Sequence, residues 1–295
     1  MRAKYTAIYL GRLIAVGIVA LSATAGPAAQ AQNDAARQST APGEPTVEIF
    51  AAGSLRGVVG ELAKEAAATF HIEVEASFGG SGSMRERIEK GATPDMLMSA
   101  DLGSPRRLES QGRTVVPVIA FARNRMCIVS RRSAGVTAKN LTERMLAKDV
   151  RIKTSMPIVD PSGDYAWAIF NRIDALHPGM GAKLKDKARA VMSANATAAP
   201  GQSAAAALFA SKQIDMSITY CSASGTLAKE LPELTSLVVP PQLDPDPVYG
   251  LALLSDKPQA QRVALFLLSE KGQAIIARNG LLPLMDKPDR EQPRP

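Results

Sequence analysis

Strand-like and helix-like runs alternate along this chain, and that alternation limits the folds open to it. Thr46 to Ala52 is a short apolar run, and Leu55 to Phe70 sets Leu62, Ala66 and Phe70 on one helical stripe. Ile72 to Phe78 alternates as a strand, Met84 to Lys90 reads as a helix with Ile88 inward, and Asp95 to Ala100 is the next strand. This βαβαβ order predicts a mostly parallel sheet with helices on both faces and ligands near the carboxyl ends of its strands. A strand pair, Val115 to Ala122 and Arg125 to Ser130, is where the chain is expected to leave this first lobe. A second alternating block follows: helix Leu141 to Ala147, strand Ile152 to Val159, helices Tyr165 to Leu176, Gly181 to Met192 and Ser203 to Ser211, and strand Asp215 to Tyr220. The proline-rich crossing Pro240 to Pro247 then leads into a returning strand, Val248 to Leu254, and two closing helices within Pro258 to Asn279. The predicted class is α/β with two lobes, 46–122 plus 248–284 and 123–247.

The ends of the chain read differently. Arg2, Lys4 and Arg12 precede the apolar stretch Leu13 to Ala25, and Ala29-Gln30-Ala31 offers small residues at a cleavage spacing, so 1–31 is expected to be a cleaved export signal. That apolar stretch is short for a membrane span, and no cysteine near Ala31 offers a lipid attachment point. An extracytoplasmic, periplasmic location follows as the expectation. Residues 32–45 read as a flexible leader and 285–295 as a disordered tail, both polar and rich in proline or glycine. Cleavage would remove three basic residues and no acidic one, taking the formal charge from +7 to +4. With basic residues scattered and aromatics at 4%, a nucleic-acid partner is not expected.

Hydroxyl-bearing turns fall where strands end and helices begin. Ala51-Ala52-Gly53-Ser54-Leu55 and Gly79-Gly80-Ser81-Gly82-Ser83 each bring unpaired backbone N–H groups, a hydroxyl and the positive end of a helix dipole together without lysine or arginine. Such a cradle suits a small oxyanion; a simple N-cap is the alternative use of each serine. Asp160-Pro161-Ser162-Gly163-Asp164-Tyr165 repeats the pattern in the second lobe, with Ser162 a candidate cap for a helix starting near Tyr165. Pro200-Gly201-Gln202-Ser203 opens the alanine-rich helix, and Tyr220 ends a strand where its phenol could donate to a ligand or simply pack in the core.

Catalytic patterns are absent. Gly79 to Ser83 fails the Gly-x-Ser-x-Gly elbow at its last position, and the two histidines, His71 and His177, lie outside any triad-like arrangement. No zinc spacing and no phosphate-binding Gly-x-x-x-x-Gly-Lys-Ser/Thr loop occurs. No enzyme, cofactor or metal-ion site is therefore expected. Asp95 and Asp101 flank one strand, Asp101 being a candidate cap for the segment near Pro105. Cys127 and Cys221 are the only cysteines; an oxidising compartment permits a disulfide between them, and two buried free thiols are the alternative.

At Ala51-Ala52-Gly53-Ser54-Leu55, Phe78-Gly79-Gly80-Ser81-Gly82 and Ile88-Glu89-Lys90-Gly91-Ala92-Thr93-Pro94-Asp95 leading to Ser99-Ala100-Asp101, the chain resembles the periplasmic molybdate-binding proteins. These are the substrate-binding subunits of molybdate/tungstate ABC importers, and the likeness runs from Thr46 to about Leu284. The resemblance implies a type II periplasmic-binding-protein fold holding a tetrahedral oxyanion between two lobes. It implies Ser54 and Ser81 as ligands from the first lobe, and Ser162, the amide of Gln202 and Tyr220 from the second. It further implies molybdate or tungstate as ligand, a membrane permease as partner and a monomeric receptor. Sulfate or another small anion is the alternative ligand, and an extracytoplasmic hydrolase the alternative class. The turn at Asp160 departs from the family's Val-Pro-Ala-Gly-x-Tyr-Ala by an extra hydroxyl and carboxylate, which bears on oxyanion choice.

Overall fold

The computed structural model describes residues 45–284, all within one compact unit. The expected export signal, the leader apart from Pro45, and the tail lie outside the described residues. The predicted βαβαβ is present as β1 (Thr46–Ala52), α1 (Arg56–Phe70), β2 (Glu73–Gly79), α2 (Ser81–Glu89) and β3 (Met96–Ser99). β1 pairs in parallel with both β2 and β3. Its unbroken run of buried residues, Ile49 to Ala52 after Val47, is what a strand covered on both faces requires. α1 supplies part of that cover with Val58, Val59, Leu62 and Ala66.

α3 (Gly103–Ser110) and β4 (Ile119–Arg123) follow, and the chain crosses to a second sheet at Asn124-Arg125. It returns through β9 (Val248–Leu253), then α9 (Pro258–Leu268), α10 (Glu270–Arg278) and β10 (Leu282–Pro283). The first sheet has the order β10-β4-β9-β3-β1-β2. The second contains β5 (Met126–Arg131), β6 (Ile152–Lys153), β7 (Met216–Tyr220) and β8 (Leu234–Val238) in the order β6-β7-β5-β8. Around it lie α4 (Leu141–Leu146), α5 (Pro161–Leu176), α6 (Met180–Ala190), α7 (Ala204–Ala210) and α8 (Cys221–Glu230). Each sheet with its helices is termed a lobe, the two lobes belonging to one compact unit, and the two crossings are tied together where Asn124 N–H donates to Pro247 O at 2.9 Å.

The sheets are mixed rather than mostly parallel. β9 runs antiparallel to both β3 and β4, and β5 runs antiparallel to both β7 and β8. Crossover helices supply parallel pairs, whereas strands that enter or leave a lobe through the crossings come in from the opposite end. The runs at Val115 and Arg125 do not pair with each other; β4 belongs to one sheet and β5 to the other. The strand predicted for Ile152 to Val159 stops at Lys153; residues 154–156 are irregular and Pro157 opens a turn over 157–159. α8 and β8 are additional elements: Cys221-Ser222-Ala223-Ser224-Gly225-Thr226 is small and polar and carries little helical stripe.

Candidate functional site

Ser54 and Ser81 are not side-chain caps. Ser54 sits in a short 3-10 turn, Gly53–Leu55, directly after β1, and its Oγ lies 3.0 Å from the hydroxyl of Tyr249. Ser81 occupies the first turn of α2 behind the N-cap Gly80. It is fully buried, and its Oγ accepts from the N–H of Ala100 at 3.0 Å. That bond leaves the Ser81 hydroxyl proton free to donate.

In the second lobe the cap is Asp160 rather than Ser162, and α5 begins four residues before Tyr165 because Pro161 at its first position is preset for helix. The N–H of Ser162 donates to Asp160 Oδ1 at 2.9 Å, and Ser162 is buried in the first turn. The two lobes meet at these helix ends. A Cβ on Gly80 would collide with the carbonyl oxygen of Val159 and lie 3.2 Å from the Cα of Asp160, and one on Gly82 would collide with the carbonyl of Ile158. Ser83 N–H donates to Val159 O across the same contact at 3.3 Å. Ile158 holds a positive φ of 71°, a strained state for a β-branched residue, and its N–H donates to Asp164 Oδ1 at 3.0 Å.

Three phenols lie beside this contact. Tyr220, at the end of β7, is 4% exposed, and its hydroxyl makes no hydrogen bond of regular geometry, although it stands near enough to the Tyr249 hydroxyl to act on it. Its ring lies 5.7 Å from that of Tyr249 and 6.2 Å from that of Tyr165. Tyr249 is fully buried on β9 and is held by Ser54 and by Asn124, whose Nδ2 donates to the Tyr249 hydroxyl at 3.1 Å and to Ser222 Oγ at 2.9 Å. Burial pushes all three phenols above their ordinary range, so at neutral pH they are protonated donors. Burial also pushes the Asp160 carboxyl up, and the charge of Asp101 adds to the push. Asp101 is itself fixed by the N–H of Ser104 at 2.6 Å and the hydroxyl of Ser99 at 3.2 Å.

Ser54, Tyr220 and Tyr249 thus form one group, and Asp160 links it to the helix ends carrying Ser81 and Ser162, since its charge acts on both Tyr220 and Tyr249. The Gln202 amide does not join them. Its N–H donates to Ala199 O at 2.9 Å while its side-chain oxygen accepts from Ala199 N–H at 3.1 Å, closing the turn on itself. Ser203 next to it caps α7 and lines a cavity of about 510 Å³ with Gly53, Ser54, Arg56, Thr219 and Ser222. Arg56, stacked 4.3 Å over the Phe78 ring, and Glu230, whose Oε2 accepts from the Ser203 N–H at 2.8 Å, line the same cavity, so charges of both signs border it where a cradle of neutral donors was expected. A second cavity, about 440 Å³ around Phe70, Leu265 and Phe266, is lined by a single lobe and lacks any of these groups.

Cys127 and Cys221 are joined, with their Cα atoms 4.9 Å apart. Cys127 lies on β5 and Cys221 directly follows Tyr220, so the link pins the strand end that carries this phenol. Asp95 serves the framework: burial opposes its charge, but Ser255 Oγ at 2.7 Å, Glu48 N–H at 2.9 Å and Lys257 hold its carboxyl below the ordinary value. Among the described residues no group of three or more His, Cys, Asp or Glu side chains is placed to hold a metal ion.

Asp160, Tyr249 and Asn124 were not foreseen as site residues. Asp before Pro at a helix start is a readable cap signal. Tyr249 and Asn124 carry no local signal, because only the crossing of the two sheets brings them to Ser54.

The family model for bacterial extracellular solute-binding proteins matches residues 47–282. The chain belongs to that family. This solute-binding protein is 31% identical over 241 residues to the uncharacterized protein PM1146 of Pasteurella multocida, covering 80% of this chain and 98% of the relative. Its fold is shared with the periplasmic molybdate-binding protein of Azotobacter vinelandii, at a TM-score of 0.61 and 20% identity over 80% of this chain and 98% of that one. It is shared also with the sulfate-binding protein SubI of Mycobacterium tuberculosis, at a TM-score of 0.64 and 15% identity over 82% and 88%. Two sheets flanked by helices, joined by two crossings, are the architecture this solute-binding protein has in common with them.

Proposed function

We propose that this chain is exported, loses its leader and works in the periplasm as a monomeric receptor. It closes on a tetrahedral oxyanion, molybdate or tungstate, and delivers it to the membrane permease of an ABC importer. The observation that carries this reading is the buried hydroxyl of Tyr220, without a hydrogen bond of regular geometry, beside the meeting point of two helix N-termini from different lobes. Leaving a buried hydroxyl unpaired costs about 1–3 kcal/mol, a cost offset when an anion accepts its proton. Helix N-termini and neutral phenols offer hydrogen bonds to an oxyanion, while Arg56 and Glu230 bring opposite charges to the cavity beside Ser54. Ser54, Ser81 and Ser162 extend the donor set, and the reading needs neither a cofactor nor a catalytic step.

A second reading comes from the cavity. About 510 Å³ is in the range of organic ligands, and a small oxyanion would occupy only the Ser54 end. An anionic group carried on a larger polar body, lying along Ser203, Thr219 and Ser222, fits the same groups. A thermal-shift series separates the two readings. Millimolar molybdate and tungstate should each raise the melting temperature in a concentration-dependent way. No shift with either, alongside a shift with small organic acids, would favour the second.

A further inference from the structure

Asp160 is an unusual residue for an anion site. It is the N-cap of α5, and its Oδ1 takes the Ser162 N–H, the donor that a bound oxyanion at this helix end would otherwise receive. Its Cα faces Gly80, the N-cap of α2, so the carboxylate stands where both helix ends converge. The groups around it are few. Asp101 acts on it from beyond β3 and Asp164 lies one turn along α5. Tyr220 and Tyr249 approach from β7 and β9, and Tyr165 stacks against Tyr220 from α5 itself. From α2 the facing residues are Gly80, Gly82 and Ser83, none of which titrates, and the first charge on that helix, Arg85, pairs with Glu89 at 3.7 Å. The formal charges acting on Asp160 are therefore negative, opposed by the Ser155 side chain and the Ser162 N–H, which bond its carboxylate, and by the positive helix ends. A dianion added beside a buried carboxylate repels it strongly in this weakly screening interior, and the repulsion is removed if one proton is taken up.

Resting on the oxyanion reading above, we propose that Asp160 sets the proton requirement of the site: the cleft binds its oxyanion together with one proton, held between the Asp160 carboxyl and a ligand oxygen. The protonated carboxyl then becomes a donor to the anion while its second oxygen retains the Ser162 N–H. Proton and anion arrive together, so the site takes up a dianion with a net change of one negative charge. Burial has already moved the Asp160 carboxyl toward the protonated form, which lowers the cost of the step.

Titration calorimetry with sodium molybdate, repeated in buffers of different ionisation enthalpy between pH 6 and 8, tests this. Molybdate is fully ionised in that range, so any proton taken up comes to the protein. The expected result is uptake approaching one proton per anion and an affinity that falls by up to about tenfold per pH unit. Asp160→Asn keeps an oxygen for the Ser162 N–H and should bind with no linked proton and a flat pH profile. Binding by the unaltered protein without proton uptake, or the same uptake in Asp160→Asn, overturns the proposal while sparing the oxyanion reading. The buffer series on the unaltered protein decides even if the variant fails to fold. Absence of any molybdate binding overturns the oxyanion reading and this inference with it.

Discussion

Gly80 and Asp160, N-cap residues of helices from different lobes, touch through their backbones, with the Asp160 Cα 3.2 Å from where a Cβ on Gly80 would be. Only a residue without a side chain permits that approach, and Gly82 beside it meets the carbonyl of Ile158 in the same way. The contact brings helix ends from both lobes close enough to reach one ligand.

Gly82→Ala should therefore separate stability from binding. Alanine favours the helix interior by up to about 1 kcal/mol, so the free protein should melt no lower than the unaltered one. Closure would meet a backbone carbonyl that cannot swing aside, and molybdate affinity should fall at least about tenfold, a loss of about 1.4 kcal/mol. Calorimetry and thermal melting on the same sample check both halves.

Ser54→Ala and Ser81→Ala should each weaken oxyanion binding by about 1.5–3 kcal/mol, the range for hydrogen bonds to charged groups. Their effects on stability should differ. Ser81→Ala strands the buried Ala100 N–H and should cost about 1–3 kcal/mol of folding free energy, whereas Ser54→Ala leaves Tyr249 its bond from Asn124 and should cost less. Denaturant melts paired with binding titrations distinguish them; unchanged affinity in both variants would remove these serines from the site.

Tyr220→Phe deletes a buried hydroxyl that makes no hydrogen bond of regular geometry. The ring keeps its packing against Tyr165 and Tyr249, so stability should hold or rise while oxyanion affinity drops by about 1.5–3 kcal/mol. A loss of stability with unchanged affinity would assign the phenol to the core alone.

The link between Cys127 and Cys221 closes a segment with a sequence separation of 94. Restricting so long a loop stabilises by up to about 4–5 kcal/mol in the chain-entropy model, so reduction should lower the melting temperature by many degrees. Because the link adjoins Tyr220, reduced protein that remains folded should also bind the oxyanion more weakly. Thiol counting on the denatured, unreduced protein should find none free.

The first lobe was legible because its signals are local: an apolar run, a helical stripe and a serine turn at each strand end, as in Thr46 to Phe70. The hydroxyl turns also pointed to Ser54, Ser81 and Ser162 for that reason. What escaped depends on long-range assembly. Tyr249 lies 195 positions from Ser54 and reaches it only because β9 returns to pair with β3. Antiparallel pairing at β5 and β9 follows from how strands enter through the crossings, which residue periodicity does not encode. The Gln202 amide stands apart from the others because a Pro-Gly turn can satisfy its own N–H, as this one does with Ala199. Arg56 reads as an ordinary first-turn helix residue, and only the folded chain brings Ser203, Thr219 and Ser222 to the cavity that it lines.

Ligand choice tests the account most directly. Sulfate and molybdate have the same charge and shape, so a fixed donor set separates them by size: donors spaced for the longer bonds of molybdate fall short of sulfate's oxygens. Each lost charge-assisted bond costs about 1.5–3 kcal/mol, and two would give at least about a hundredfold discrimination. Calorimetric titration in sulfate-free buffer should show one molybdate bound per chain, displaced by tungstate and barely affected by sulfate in large excess. No heat with molybdate, or equal affinity for sulfate, would contradict the account.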